Sequence, residues 1–259
     1  LERELGCPVM RLETKRYDLV VVVRELAEGT KRISGHVLLH RLARDEEHVS
    51  NLVTEHYAMT DQDYRAKMRM WLWDSLAIHQ KAQAKFLGTL TTGDFKMLGH
   101  DPVFSVWDEP GLFDTVPAVR ALFAHNAAHM LLSNACEPNW VGDIGGGWLD
   151  AGLGHWYEYE LFGRTLNYCI EEATLSDGYE NGQWRAPVRR RLEREKDPFL
   201  PGLLPKRTGT MTPAEHALCW SFYDYLLHEQ RAALRPILLA LKHKKPARQR
   251  TRSYTGPYR

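Results

Sequence analysis

AHNAAHMLL, residues 124–132, and WLDAGLGHWYE, residues 148–158, are the stretches on which the fold of this chain turns. In the first, His125 and His129 stand four positions apart. On a helix that spacing puts both imidazoles on one face, about 5–6 Å apart at Cβ, which is how one helix offers two nitrogens to one zinc ion. The helix is well bounded: Asp114 or Thr115 can cap it, Pro117 falls in its first turn, and Ser133-Asn134 closes it. The second stretch predicts a helix over 148–162, entered through a glycine-rich loop over 138–147. His36 and His40 repeat the four-residue spacing, but in a segment, 33–39, that reads as a strand, where the pair would be about 13 Å apart.

Composition bounds the rest. At 259 residues the chain can bury a sizeable core without staples. Its 26% charged and 10% aromatic residues exclude wholesale disorder. The longest apolar run, 19–23, is strand-sized and far short of the roughly 18 residues a membrane helix needs. Cys7, Cys136, Cys169 and Cys219 form no CxxC pair, so neither a cysteine-rich zinc site nor a disulfide framework is expected. The net charge of +1 conceals two opposed parts. The tail, 242–259, holds seven Lys/Arg and no acid, leaving 27 basic against 33 acidic residues in the body. Such a tail reads as a disordered, solvated end, or as an electrostatic handle for nucleic acid or another anionic partner. Nothing else in the sequence supports nucleic-acid binding, and nothing specifies an oligomeric state. The start at Leu1 rather than Met leads us to expect an incomplete N-terminus, so no localisation is read.

The remaining elements follow from period and punctuation. Residues 17–23 and 33–39 predict strands, 61–86 a helix, and 103–107 an edge strand. A short helix is expected over 168–174, a charged one over 185–196, and a proline-rich loop over 197–212. Thr212, Pro213 and Glu215 then open a long apolar helix to about residue 241. The expected fold is α+β and mostly helical, with a strand-rich segment at 1–60, a helical core at 61–241, and the basic tail.

HNAAHMLL followed by WLDAGLGHWYE resembles the gluzincin zinc peptidases of the peptidase MA-like superfamily. In that family HExxH on one helix is followed by a second helix of pattern WLxEGxAxYxE. The resemblance extends over roughly 61–241, with its specific motifs confined to 122–162. It implies a zincin-like fold with a small N-terminal antiparallel sheet over a helical half, and zinc between the two motif helices.

Two departures bear on activity. The family's general base, the Glu of HExxH, corresponds to Asn126, and an amide takes no proton near neutral pH; that role usually contributes about 10²–10⁴-fold. The third zinc ligand corresponds to Ala151, which ligates nothing. Substitutes are present on the same helix. His155 lies one turn, about 5.4 Å, beyond Ala151, so a modest slide would complete a three-histidine zinc site from His125, His129 and His155. Glu158, or a carboxylate of Glu171 or Glu172, stands in reserve as a base. Asp150 is rotated off that stripe. Cys136 reads as a small buried hydrophobe, and His216 and His228 as surface or interhelical hydrogen-bond partners.

The sequence therefore leads us to expect a degenerate gluzincin-like domain, a pseudo-enzyme. It would retain zinc and hold an extended peptide or protein segment in the former substrate cleft. The alternative is an active zinc hydrolase with the three-histidine site and Glu158 as base; a metal-free helical scaffold is a third class.

Overall fold

Alternate residues of the strand Tyr17–Val21 point to opposite sides of a sheet, and the two sides organise the molecule. Leu19 and Val21 join the main core with Met70, Leu72 and Phe104, whereas Val20 packs into a smaller cluster with Trp71, Trp73 and Val103. The computed structural model describes residues 1–23, 25–99, 101–108, 115–137, 140–169, 172, 179–194 and 200–244. The tail from 245 onward and most of the helix expected at 168–174 lie outside the described residues.

Among these residues the strands are β1 (Met10–Glu13), β2 (Tyr17–Val21), β3 (Glu25–Glu28), β4 (Lys31–Ser34), β5 (Met68–Trp73), β6 (Phe95–Met97) and β7 (Val103–Trp107). The helices are α1 (Glu2–Leu5), α2 (Gly35–His56), α3 (Leu76–Phe86), α4 (Val116–Cys136), α5 (Gly147–Phe162), α6 (Arg185–Arg194), α7 (Leu200–Leu203), α8 (Pro213–Glu229) and α9 (Leu234–Lys242). The fold is α+β, a sheet at the N-terminal side and a helical bulk beyond it.

The sheet differs from the antiparallel one expected. Its order is β1-β2-β5-β7-β6, with β2, β5 and β7 parallel and only the outer strands antiparallel; β3 and β4 form a separate hairpin. Strand β7, expected at the edge, is therefore internal. Residues 68–73, expected as helix, are β5, buried on both faces. A strand covered on both sides shows no alternation, and Tyr64, Met68, Trp71 and Leu72 mimic helical spacing by accident.

A second correction concerns 33–39. Ser34 ends β4 and caps α2, its side chain accepting a hydrogen bond from Val37 N at 3.4 Å. His36 and His40 thus lie on an exposed helical face with ring centroids 4.6 Å apart, not across a strand. The predicted α4 and α5 form nearly as expected, and Thr115 is the cap of α4. The last long helix stops at Glu229, and α9 resumes at Leu234.

Helix α4 packs between α2 and α5, and α5 between α4 and α8. Both α4 and α5 are buried around nearly their whole circumference, as suits helices that are apolar all round. Gly152 permits the α5–α8 contact: a Cβ there would lie 2.6 Å from the Cys219 carbonyl oxygen. No described helix is long and apolar enough to cross a membrane.

Candidate metal centre

Helix α4 carries His125 and His129 on its α5-facing side, and α5 returns Asp150, His155 and Glu158 to the same space. The chain after α5 adds Thr165, Cys169 and Glu172, and the first turn of α8 adds His216. Every one of these side chains is buried.

The two imidazoles of α4 converge, with Nε2 atoms 3.2 Å apart. Glu172 closes the triangle: its Oε2 lies 3.1 Å from His125 Nε2 and its Oε1 3.7 Å from His129 Nε2. The Cys169 thiol belongs to the same group, all ligand atoms within 4.8 Å of one another. Outer carboxylates hold the far side of each ring. His129 Nδ1 lies 2.9 Å from Asp150 Oδ1, whose other oxygen accepts from Thr208 Oγ1 at 2.9 Å. His125 Nδ1 lies 3.2 Å from Glu158 Oε2. With Nδ1 protonated toward Asp150, His129 can turn an Nε2 lone pair inward, and a cation bound there would displace the proton that His125 holds toward Glu172.

His155 is not drawn onto the His125/His129 pair. Its Nδ1 lies 2.9 Å from Thr165 Oγ1, and its Nε2 faces Glu172 Oε1 at 3.0 Å and His216 Nδ1 at 3.1 Å. It also groups with His125 and Glu158 at metal-ligand distances. Glu158 is engaged by Thr165 Oγ1, the backbone N–H groups of Leu166 and Asn167, and Asn167 Nδ2. Asn126 turns back along its own helix, its Nδ2 donating to the Leu122 carbonyl at 2.9 Å. Ala151 is buried in the core.

Protonation reflects this crowding. Burial opposes charge on His125, but Glu172 and Glu158 overcome it and raise its pKa to about 9. Burial dominates at His155, pulling it to about 3 against the attraction of Glu172. Burial alone would raise Glu172, yet His155, His125 and His216 hold it well below the usual carboxylate range.

These buried His, Cys and Glu groups have the spacing to hold a metal ion. No protein-family model matches the chain, and no curated protein does.

Of the residues singled out from sequence, His125 and His129 meet as their spacing predicts, and His155 and Glu158 lie beside them. Three further residues belong to the centre. Glu172, weighed only as a substitute base, sits among the histidines. His216 is the interhelical hydrogen-bond partner of the two alternatives, buried and 3.1 Å from His155 of α5, and His228 is the surface one, exposed at the other end of α8. Cys169 carried no motif at all. For His216 a signal existed: it shares a helical stripe with Cys219, Trp220, Tyr223 and Leu227, all buried. Cys136 is buried, and all four cysteines are free thiols.

Proposed function

We propose that this chain is a zinc-holding, non-proteolytic domain of gluzincin-like design, with His125, His129, Glu172 and Cys169 as the ligand set. The observation that supports it is the convergence of His125 Nε2, His129 Nε2 and the Glu172 carboxylate, whose Oε2 lies 3.1 Å from the first and Oε1 3.7 Å from the second, with Glu158 and Asp150 beside the outer ring nitrogens. Nitrogens and oxygens brought so close in a buried space repel unless a proton or a metal cation lies among them, and a divalent ion can take the place of the proton on His125. Tetrahedral zinc with ligand bonds of about 2.0–2.1 Å places its nitrogens roughly 3.3 Å apart, close to the 3.2 Å between these two. Mixed nitrogen, oxygen and thiolate donors in a closed four-ligand set suit zinc in a structural role.

The absence of proteolysis is argued from the base. Asn126 accepts no proton and donates to its own helix. Glu158 spends its oxygens on Thr165, Leu166 and Asn167 while orienting His125. Bound zinc would supply a cross-link: it would tie α4 to the segment carrying Cys169 and Glu172, so that metal and tertiary structure stabilise each other.

Metal analysis of purified, zinc-reconstituted protein tests this. At least one tightly held equivalent is expected in the wild type, and its loss in His125→Ala and in Glu172→Gln, with no peptide hydrolysis by any of them. Zinc-free wild type after reconstitution, or a number of bound equivalents in His125→Ala unchanged from wild type, would overturn the proposal.

A further inference from the structure

Glu172 presents its two oxygens to two different groups of donors. Oε2 faces His125, while Oε1 faces His155 Nε2 at 3.0 Å and His216 Nδ1 at 3.2 Å. The two imidazole nitrogens of this second group are 3.1 Å apart, so the triangle of donors is tighter and more regular than the first. It draws on α5, α8 and the segment between them, and it is fully buried.

Hydrogen bonds around this second group set its tautomers. Thr165 Oγ1 donates to Glu158 Oε2 at 3.2 Å, so it accepts from Nδ1–H of His155 at 2.9 Å. His155 Nε2 is thereby left with a lone pair directed at Glu172 and His216. On the other side of the His216 ring, Nε2 is buried with no hydrogen-bond partner among the described residues. Two acceptors and an imidazole nitrogen then meet at about 3 Å. Either a proton on His216 Nδ1 or a metal cation holds them together.

Charge favours the cation. Asp150, Glu158 and Glu172 bring three carboxylates into this space, and Cys169 as thiolate would be a fourth anion. One divalent ion leaves such a set two charges short, and two divalent ions balance it. Building on the single-ion site proposed above, we propose that the centre is dinuclear: Glu172 bridges one metal ion held by His125, His129 and Cys169 to a second held by His155 and His216. Carboxylate-bridged pairs of this kind place their ions about 3.5–4 Å apart, and the His125 and His155 ring centroids are 4.9 Å apart.

The test is a cobalt(II) titration of chelator-stripped protein, followed by visible absorption and by electron paramagnetic resonance. Wild type is expected to saturate at two equivalents, with the second quenching the signal of the first through the bridge. His216→Gln and His155→Gln should each saturate at one equivalent, with an unquenched signal, and retention of that first ion shows that the variant has folded. Saturation of wild type at a single equivalent would overturn the dinuclear centre and leave the single-ion site standing, with a proton on His216. Two equivalents retained in both variants would overturn it as well, by placing the second ion elsewhere. No cobalt bound at all removes the single-ion site first, and the bridge with it.

Discussion

Gly154 lies flush against the imidazole of His129: a Cβ added at Gly154 would come within 2.3 Å of His129 Nε2. Helix α5 therefore approaches Nε2 of His129 on α4 through a residue with no side chain. Gly154→Ala is expected to push the His129 ring off its bond to Asp150, weakening zinc binding at least tenfold. The strain should cost about 1–3 kcal/mol of stability, the usual price of overpacking a core. Chelator competition and urea denaturation measure the two effects; wild-type zinc affinity in this variant would contradict the assigned role of His129.

Asp150 holds His129 from behind and is itself held by Thr208. Partners of metal-binding histidines typically contribute 10–100-fold to metal affinity. Asp150→Asn should lower zinc affinity by about that factor while far-ultraviolet dichroism stays unchanged. Thr208→Val should act in the same direction more weakly. An unaltered dissociation constant in both would show that His129 needs no second partner.

Placing an acid at Asn126 should not create peptidase chemistry. Asn126 is fully buried, and its side-chain oxygen has no partner among the described residues. Asn126→Glu would place a longer carboxylate there, so we expect a destabilised protein with no peptidase activity. Fluorogenic peptide turnover and thermal melting are the assays. Robust turnover by this single variant would contradict the account of Asn126.

Zinc removal should loosen the chain after α5. If Cys169 and Glu172 are ligands, a chelator takes away both the ion and its cross-link. Free ligand at 100–1,000 times its dissociation constant stabilises by about 3–4 kcal/mol, and stripping the ion should forfeit that amount. Limited proteolysis should then cut near 165–172 sooner in stripped than in loaded protein. Equal cutting rates would separate the metal from this segment.

One pH dependence lies away from the histidines. Glu46 of α2 is buried, and neither oxygen has a partner among the described residues. Burial first, and then Asp45 and Glu47, push its carboxyl well above the usual 4.5. A raised folded pKa means that its contribution to stability is fully present below the usual value and is lost as pH rises toward the folded one. Glu46→Gln should therefore gain on wild type with rising pH, by at most about 1.4 kcal/mol per pH unit. Parallel stability curves from pH 4 to 8 would contradict this.

Parts of this centre were legible before any coordinates. The HxxxH spacing placed His125 and His129 together because an α-helix repeats every 3.6 residues, and Pro117, with Asp114 or Thr115 before it, marked where that helix begins. The capping residues Thr212 and Glu215 did the same for α8. The strand Met68–Trp73 was hidden, because a strand covered on both faces loses the alternation that would reveal it. Helix α2 was hidden for a different reason: the apolar residues Val37, Leu38 and Leu39 in its first turns continued the strand pattern past Ser34.

Local order thus determined which side chains each helix offers to its neighbours, because period and capping act over a few residues. Tertiary structure decided the membership of the cluster. Glu172 and His216 reach the histidines only because α5 and α8 pack closely across Gly152, and because the chain turns back after α5 through Thr165 and Asn167 to Glu158. Residues that meet by chain reversal share no spacing, and a buried carboxylate among imidazoles is defined by what surrounds it rather than by its own neighbours in sequence.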